Sequence, residues 1–299
     1  MIRTIIKRLG LHLVLPLLPV LLLSACGLTS HQIIKTQSFG SATASMGKLG
    51  EEEFINIRRD IIAMNKELVA IDNSKLANSL NFDKAVPAED TSKRVAASKA
   101  LKLYGELLSQ LASEDRTEDL QKSANALLDA TSTALKDNFP DDKKSALTSV
   151  VAGFGSLWIA RKKADAAKRI VLAYQQPVKE LVELLQHDFS LEDDAEGYIK
   201  AYDVTAKRLK NASMRLVNAG DKYSVLERDR AVQALVLSET NITRVAELSN
   251  KAKNALKGLQ KANVELVSVM NNQKYTTDDI KEYARQVQEL VNSYQVLSK

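Results

Sequence analysis

This sequence has little of most residues that mark a specialised chemistry. It has one cysteine and three histidines in 299 residues, with 5 prolines, 11 glycines and 5% aromatics. A single cysteine excludes an intramolecular disulfide framework and a multi-cysteine zinc site. After residue 25 the only prolines are Pro87, Pro140 and Pro177, and alternating strand patterns bounded by turns are absent. A P-loop and a G-x-S-x-G elbow are also missing. One-signed charge is missing too, despite a formal net charge of +5 and a pI near 9.0. Arg3, Lys7 and Arg8 lie in the first 25 residues with no acid beside them, and 42 basic residues less these three leaves 39 against 37 acidic. A nearly balanced body argues against a nucleic-acid partner, since such binding rests on clustered Lys and Arg that neutralise phosphates.

What is present is first an amino-terminal address. A basic start precedes an apolar run from 9 to 23, interrupted by Gly10, His12, Pro16 and Pro19. That is the layout of a secretory signal peptide, and the run is short and proline-broken for a spanning helix. Its end, Leu23-Ser24-Ala25-Cys26, resembles the lipobox of bacterial lipoprotein precursors. The resemblance covers this segment alone. It implies cleavage between Ala25 and Cys26 and a lipid, palmitate among its chains, attached through the Cys26 sulfur. Two or three acyl chains anchor stably where one does not. Gly27 stands where an Asp signals inner-membrane retention in Gram-negative lipoproteins, so the chain is similar to the outer-membrane-sorted, periplasm-facing class.

The expected organisation is a signal peptide over 1–25, the lipidated Cys26 with a Gly/Ser/Thr-rich tether over 26–50 that can be helical in part, and one helical domain over 51–299. Apolar residues there recur every three and four positions. Phe54, Ile57, Ile61, Met64, Leu68 and Ile71 form one stripe, with Glu51, Glu52 and Glu53 in the first turn of that helix. Further helices are expected over 90–113, around 120–135, from about 141 to 186 with a kink at Pro177, from an N-cap at Ser190 to Gly220, over 224–270, and after Thr276 or Thr277. Along 224–270, Ile242, Val245, Ala252, Leu256, Leu259, Leu266 and Met270 keep a near-heptad register with Ser249 and Asn263 in the seam. The fold class is therefore all-α: an elongated bundle of about six or seven antiparallel helices with coiled-coil-like packing. The core is expected to be aliphatic.

The most unusual internal stretch is 145–160, sixteen uncharged residues between Lys143-Lys144 and Arg161-Lys162-Lys163. Val150, Val151, Phe154, Leu157, Trp158 and Ile159 make it a candidate membrane or partner contact, and Arg161, Lys162 and Lys163 a candidate basic patch. Two readings are open: a helix buried at the centre of the bundle, or a segment that enters a bilayer. The stretch bears a loose likeness to the hydrophobic element of long-helix pore-forming toxins, with no motif residue in common. His187-Asp188 reads as an exposed loop pair, and 192–197 as an acidic first turn of a helix. No metal site, no cofactor other than the lipid and no catalytic set is expected. The function read from the sequence is a non-enzymatic cell-envelope lipoprotein, membrane-held, that binds an envelope protein or the cell wall. The alternative is a membrane-active helical protein inserting 145–160.

Overall fold

The computed structural model describes residues 27–71, 81–113, 120–135, 145, 148–149, 160–192, 196–219, 222–275 and 277–297. Among these every long regular element is a helix: α1 Ser30–Ile71, α2 Ala88–Ala112, α3 Leu120–Leu135, α4 Ala160–Asp188, α5 Tyr198–Asn218, α6 Val225–Met270 and α7 Asp279–Leu297. The 42 residues of α1 and 46 of α6 span about 63 and 69 Å at 1.5 Å per residue. They run antiparallel through the bundle, as their cross-links show: Gln32 to the Val269 carbonyl, Lys35 to Glu265, Arg244 to Glu53, and Arg230 to Glu67. The elongated all-α bundle inferred from the sequence is present.

Each helix follows from its sequence. Ser224 caps α6 by accepting from Glu227 N at 3.3 Å while Glu227 accepts from Ser224 N at 2.7 Å, a reciprocal box that satisfies two orphan donors. The heptad residues Val245, Leu256, Leu259 and Leu266 are fully buried. The two polar seam residues find carbonyls: Ser249 Oγ donates to Phe189 O at 2.7 Å and Asn263 Nδ2 to Gln175 O at 3.3 Å.

Four expectations fail, each for a physical reason. The tether reading of 26–50 ends at residue 29. Thr29 and Gln32 form their own reciprocal cap at 3.0 and 3.2 Å, and α1 proceeds from Ser30 with Thr36, Phe39 and Met46 buried. The small residues there serve close packing: a Cβ on Gly47 would sit 2.3 Å from Lys102 N, and one on Gly105 2.3 Å from Gly40 O. Gly and Ser thus mark the tightest helix contact rather than a flexible linker. The glutamates at 51–53 consequently lie in mid-helix. Ser149 and Arg169 do not belong to one straight helix either, since twenty residues would part them by about 30 Å, whereas Arg169 Nη2 donates to Ser149 Oγ at 3.1 Å. Finally, α5 starts at Tyr198 with Gly197 as its N-cap, so Ser190 and the acidic residues after it precede that helix.

The core is also more aromatic than expected. The largest fully buried side chains include Tyr104, Tyr174, Tyr202, Tyr283, Phe39 and Phe54. Tyr104 stacks on Tyr174 at 5.1 Å and meets Phe39 edge-on at 6.1 Å. Aromatic pairs of this kind add about 0.5–1.5 kcal/mol beyond their area.

Candidate functional site

A broad concavity lies among α1, α2 and α3. Helix α2 packs extensively on both α1 and α3, while among the described residues α1 and α3 make few or no contacts with each other. The slot this leaves has a volume of about 990 Å³. Its lining repeats at helical spacing, from Ile55 to Lys66 on α1, from Ala88 to Lys99 on α2, and over Ala126, Asp129, Ala130 and Thr133 on α3. Apolar side chains (Ile55, Ile62, Val95, Ala96) meet cations at the rim: Arg58, Arg59, Lys66 and Lys99, against one acid, Asp129. Arg58 is held by the Asp83 carboxylate and the Val86 carbonyl. Ile55 is 55% exposed. Among the described residues no His, Cys, Glu or Tyr lines the slot. Its chemistry is that of a binding surface, with an apolar body and charged margins.

A second constellation is buried where α1, α5 and α6 meet. Arg244 donates from Nη2 to both Glu53 oxygens at 2.8 and 3.0 Å and from Nη1 to Asp60 Oδ2 at 3.0 Å. Tyr202 OH donates to Asp60 Oδ2 at 3.1 Å and lies 2.9 Å from Asn241 Oδ1. Two carboxylates thus share one guanidinium. Burial pushes the Glu53 carboxyl up to about 7 despite the attraction of Arg244, with Asp60 adding repulsion. Its folded pKa exceeds the ordinary value of 4.5, so between those values the folded state holds a proton that the unfolded chain releases. The Glu53 contribution to stability is therefore present below about pH 4.5 and lost as pH rises to about 7. In urea unfolding from pH 5 to 8, the wild type is expected to lose stability with rising pH relative to Glu53→Gln. Parallel curves would refute this assignment.

The structure treats the sequence-derived candidates unevenly. Ala25 and Cys26 lie outside the described residues, as do Val150, Val151, Phe154, Leu157, Trp158 and Ile159. Arg161 and Lys162 belong to the first turn of α4. Lys163 is buried and donates to the Ser113 carbonyl at 3.0 Å, which places it at the α2–α4 contact. The His187-Asp188 pair divides: His187 is exposed, but Asp188 is fully buried under a two-pronged contact from Arg94 at 2.9 and 3.4 Å. Arg94 also lies over the Tyr198 ring at 5.2 Å.

Among the described residues no three His, Cys, Asp or Glu side chains are grouped to hold a metal, and no helix is long and apolar enough to cross a membrane. Sequence reasoning missed both the slot and the Arg244 cluster. The cluster had one signal, since Glu53 and Asp60 flank the Phe54, Ile57, Ile61 stripe of α1. Comparisons with protein-family models, with curated proteins and with solved structures found no match to this chain.

Proposed function

We propose that this protein is a lipid-anchored helical module of the bacterial cell envelope that binds another envelope protein and performs no catalysis. The observation that supports the binding role is the slot between α1 and α3, with its apolar lining and basic rim. The anchor rests on Leu23-Ser24-Ala25-Cys26, and sorting to the outer membrane on Gly27 in the place of an Asp. Thioether formation at Cys26 suits the thiolate, the most nucleophilic common side chain.

Metabolic labelling with a palmitate analogue is expected to mark the wild type and not Cys26→Ser, which should leave the membrane fraction. Persistent labelling of Cys26→Ser refutes the anchor. A photo-crosslinking residue in place of Ala63, in the slot, is expected to capture one defined envelope protein. A crosslinker at exposed Lys281, on α7, which contributes no residue to the lining, is expected to miss it. Equal capture at both positions removes the slot from the function.

A further inference from the structure

We infer that the Arg244 cluster is a proton-operated latch. It holds α5 and the outer part of α6, residues 225–244, closed on α1 while Glu53 keeps its proton, and loss of that proton releases them. The inference stands apart from the anchor and the slot.

The first observation is uneven packing along α6. From 245 to 270 its buried residues include Val245, Leu248, Leu256, Leu259, Leu266 and Met270. From 225 to 244 they are Ala231, Ala234, Ser238 and Asn241, and Val225, Leu226, Val232, Val236 and Leu237 of that span are exposed. Stabilisation follows the apolar area buried, so alanine and serine contribute far less than leucine. Helix α5 runs antiparallel beside this span, with Tyr202 bonded to Asn241 and Lys210 paired with Glu239. It adds the fully buried Tyr202 and Leu209. Segments with few buried apolar contacts open at a lower free energy than the whole fold.

The second is where the polar links fall. Arg244 reaches Glu53 and Asp60, Tyr202 reaches Asp60, and Asn241 Nδ2 donates to Met64 Sδ at 3.4 Å. Both arms of the α5–α6 hairpin are thus tied to one stretch of α1, from 53 to 64. Farther out, Arg230 and Glu67 form a pair open to solvent, of the kind that contributes little. Opening of the hairpin would part Arg244 from Glu53 and uncover Met64, which is fully buried.

The third is charge. The groups that face Glu53 are Asp60 and Arg59 on α1, Tyr202 on α5, Arg244 on α6 and Tyr294 on α7. Arg59 stands largely in solvent, where its charge is screened. Guanidinium groups stay charged near neutral pH. Burial pushes the Tyr202 and Tyr294 phenols above their ordinary range. Two carboxylates against the buried Arg244 leave a net negative charge when both are ionised, and none when one keeps its proton. Burial is the cause that raises Glu53, so its proton is the one lost near neutrality. The closed hairpin is therefore favoured at low pH and opposed as pH rises through about 7.

Hydrogen exchange read by mass spectrometry on the full chain tests the latch. Wild type and Glu53→Gln are compared at the same pH, which cancels the pH dependence of exchange itself. Segments 203–218 and 225–241 report the hairpin, and α7 is the reference. A carboxyl at about 7 when closed and 4.5 when open raises the open fraction roughly tenfold between pH 6 and 8. The exchange rate of wild type over Glu53→Gln should rise by that factor in the hairpin and stay level in α7. Circular dichroism verifies that the variant is folded. If it is not, wild type alone decides, with each segment's rate divided by that of its unstructured peptide at the same pH. An unchanged ratio overturns the latch, and so does slower exchange at pH 8. A rise shared equally by α7 assigns the proton to the whole fold, which overturns the latch and leaves the pH dependence of stability in place.

Discussion

Replacing Arg244 by methionine is expected to destabilise the protein by about 3–5 kcal/mol, the cost of leaving a buried carboxylate without its counter-charge. Glu53 is 1% exposed and receives two hydrogen bonds from Arg244. Methionine keeps the length and packing of the arginine stem and removes only the guanidinium. Glu53 must then stay protonated or be charged in an apolar interior, so the loss should deepen as pH rises above about 7, where the carboxyl already gives up its proton. A second change separates charge from packing. Combining Arg244→Met with Glu53→Leu and Asp60→Asn removes the unpaired charges together, and most of the stability should return. Urea unfolding at pH 6 and 8 measures both. An Arg244→Met variant as stable as the wild type at pH 8 would show that Glu53 reaches water.

The second large effect belongs to Gly47. Valine there is expected to cost about 3 kcal/mol, at the upper end of overpacking penalties. The first added carbon alone would lie 2.3 Å from Lys102 N and 2.5 Å from Ser98 O, both backbone atoms that cannot rotate away. Helix propensity favours valine over glycine by less than about 1 kcal/mol, so the clash must exceed that gain. Gly258→Ala supplies the contrast. Its Cβ would meet the Gln286 Oε1 atom, the far end of a flexible side chain, and the substitution should be neutral or mildly stabilising. Thermal unfolding of the two variants side by side reads the difference, and similar melting temperatures would mean that α1 and α2 separate easily.

How much of this was legible beforehand depends on whether periodicity or geometry carries the information. Stripes such as Phe54, Ile57, Ile61 and Val245, Ala252, Leu256 announce helices directly, because burial on one face imposes a spacing of three and four. The start of α1 was hidden, because the residues that permit close helix approach (Gly40, Ala44, Gly47, Gly50) are the ones that also make linkers. Composition cannot distinguish those uses. What distinguishes them is the partner surface, Ser98, Lys102 and Gly105 on α2. The Arg244 cluster was hidden because its members come from three helices, at positions 53, 60, 202, 241 and 244. The slot was hidden for another reason. It arises from how α1 and α3 are set apart on α2 among the described residues, and nothing in either helix alone records that spacing.

The early start of α1 has a mechanical consequence for the proposed anchor. Only Gly27, Leu28 and Thr29 separate Cys26 from the first helical residue, Leu28 packs against the core, and Thr29 is tied into the cap. A lipid on Cys26 would then hold a rigid post by its foot, with almost no leash between them. Ile55 and Lys66 stand 25 and 36 positions beyond Ser30, or about 38 and 54 Å along the axis. A post of fixed height restricts encounters to a thin layer parallel to the membrane and raises the effective concentration of any partner displayed in that layer. The length of α1 then acts as a gauge, selecting partners by their distance from the bilayer before side-chain complementarity is tested.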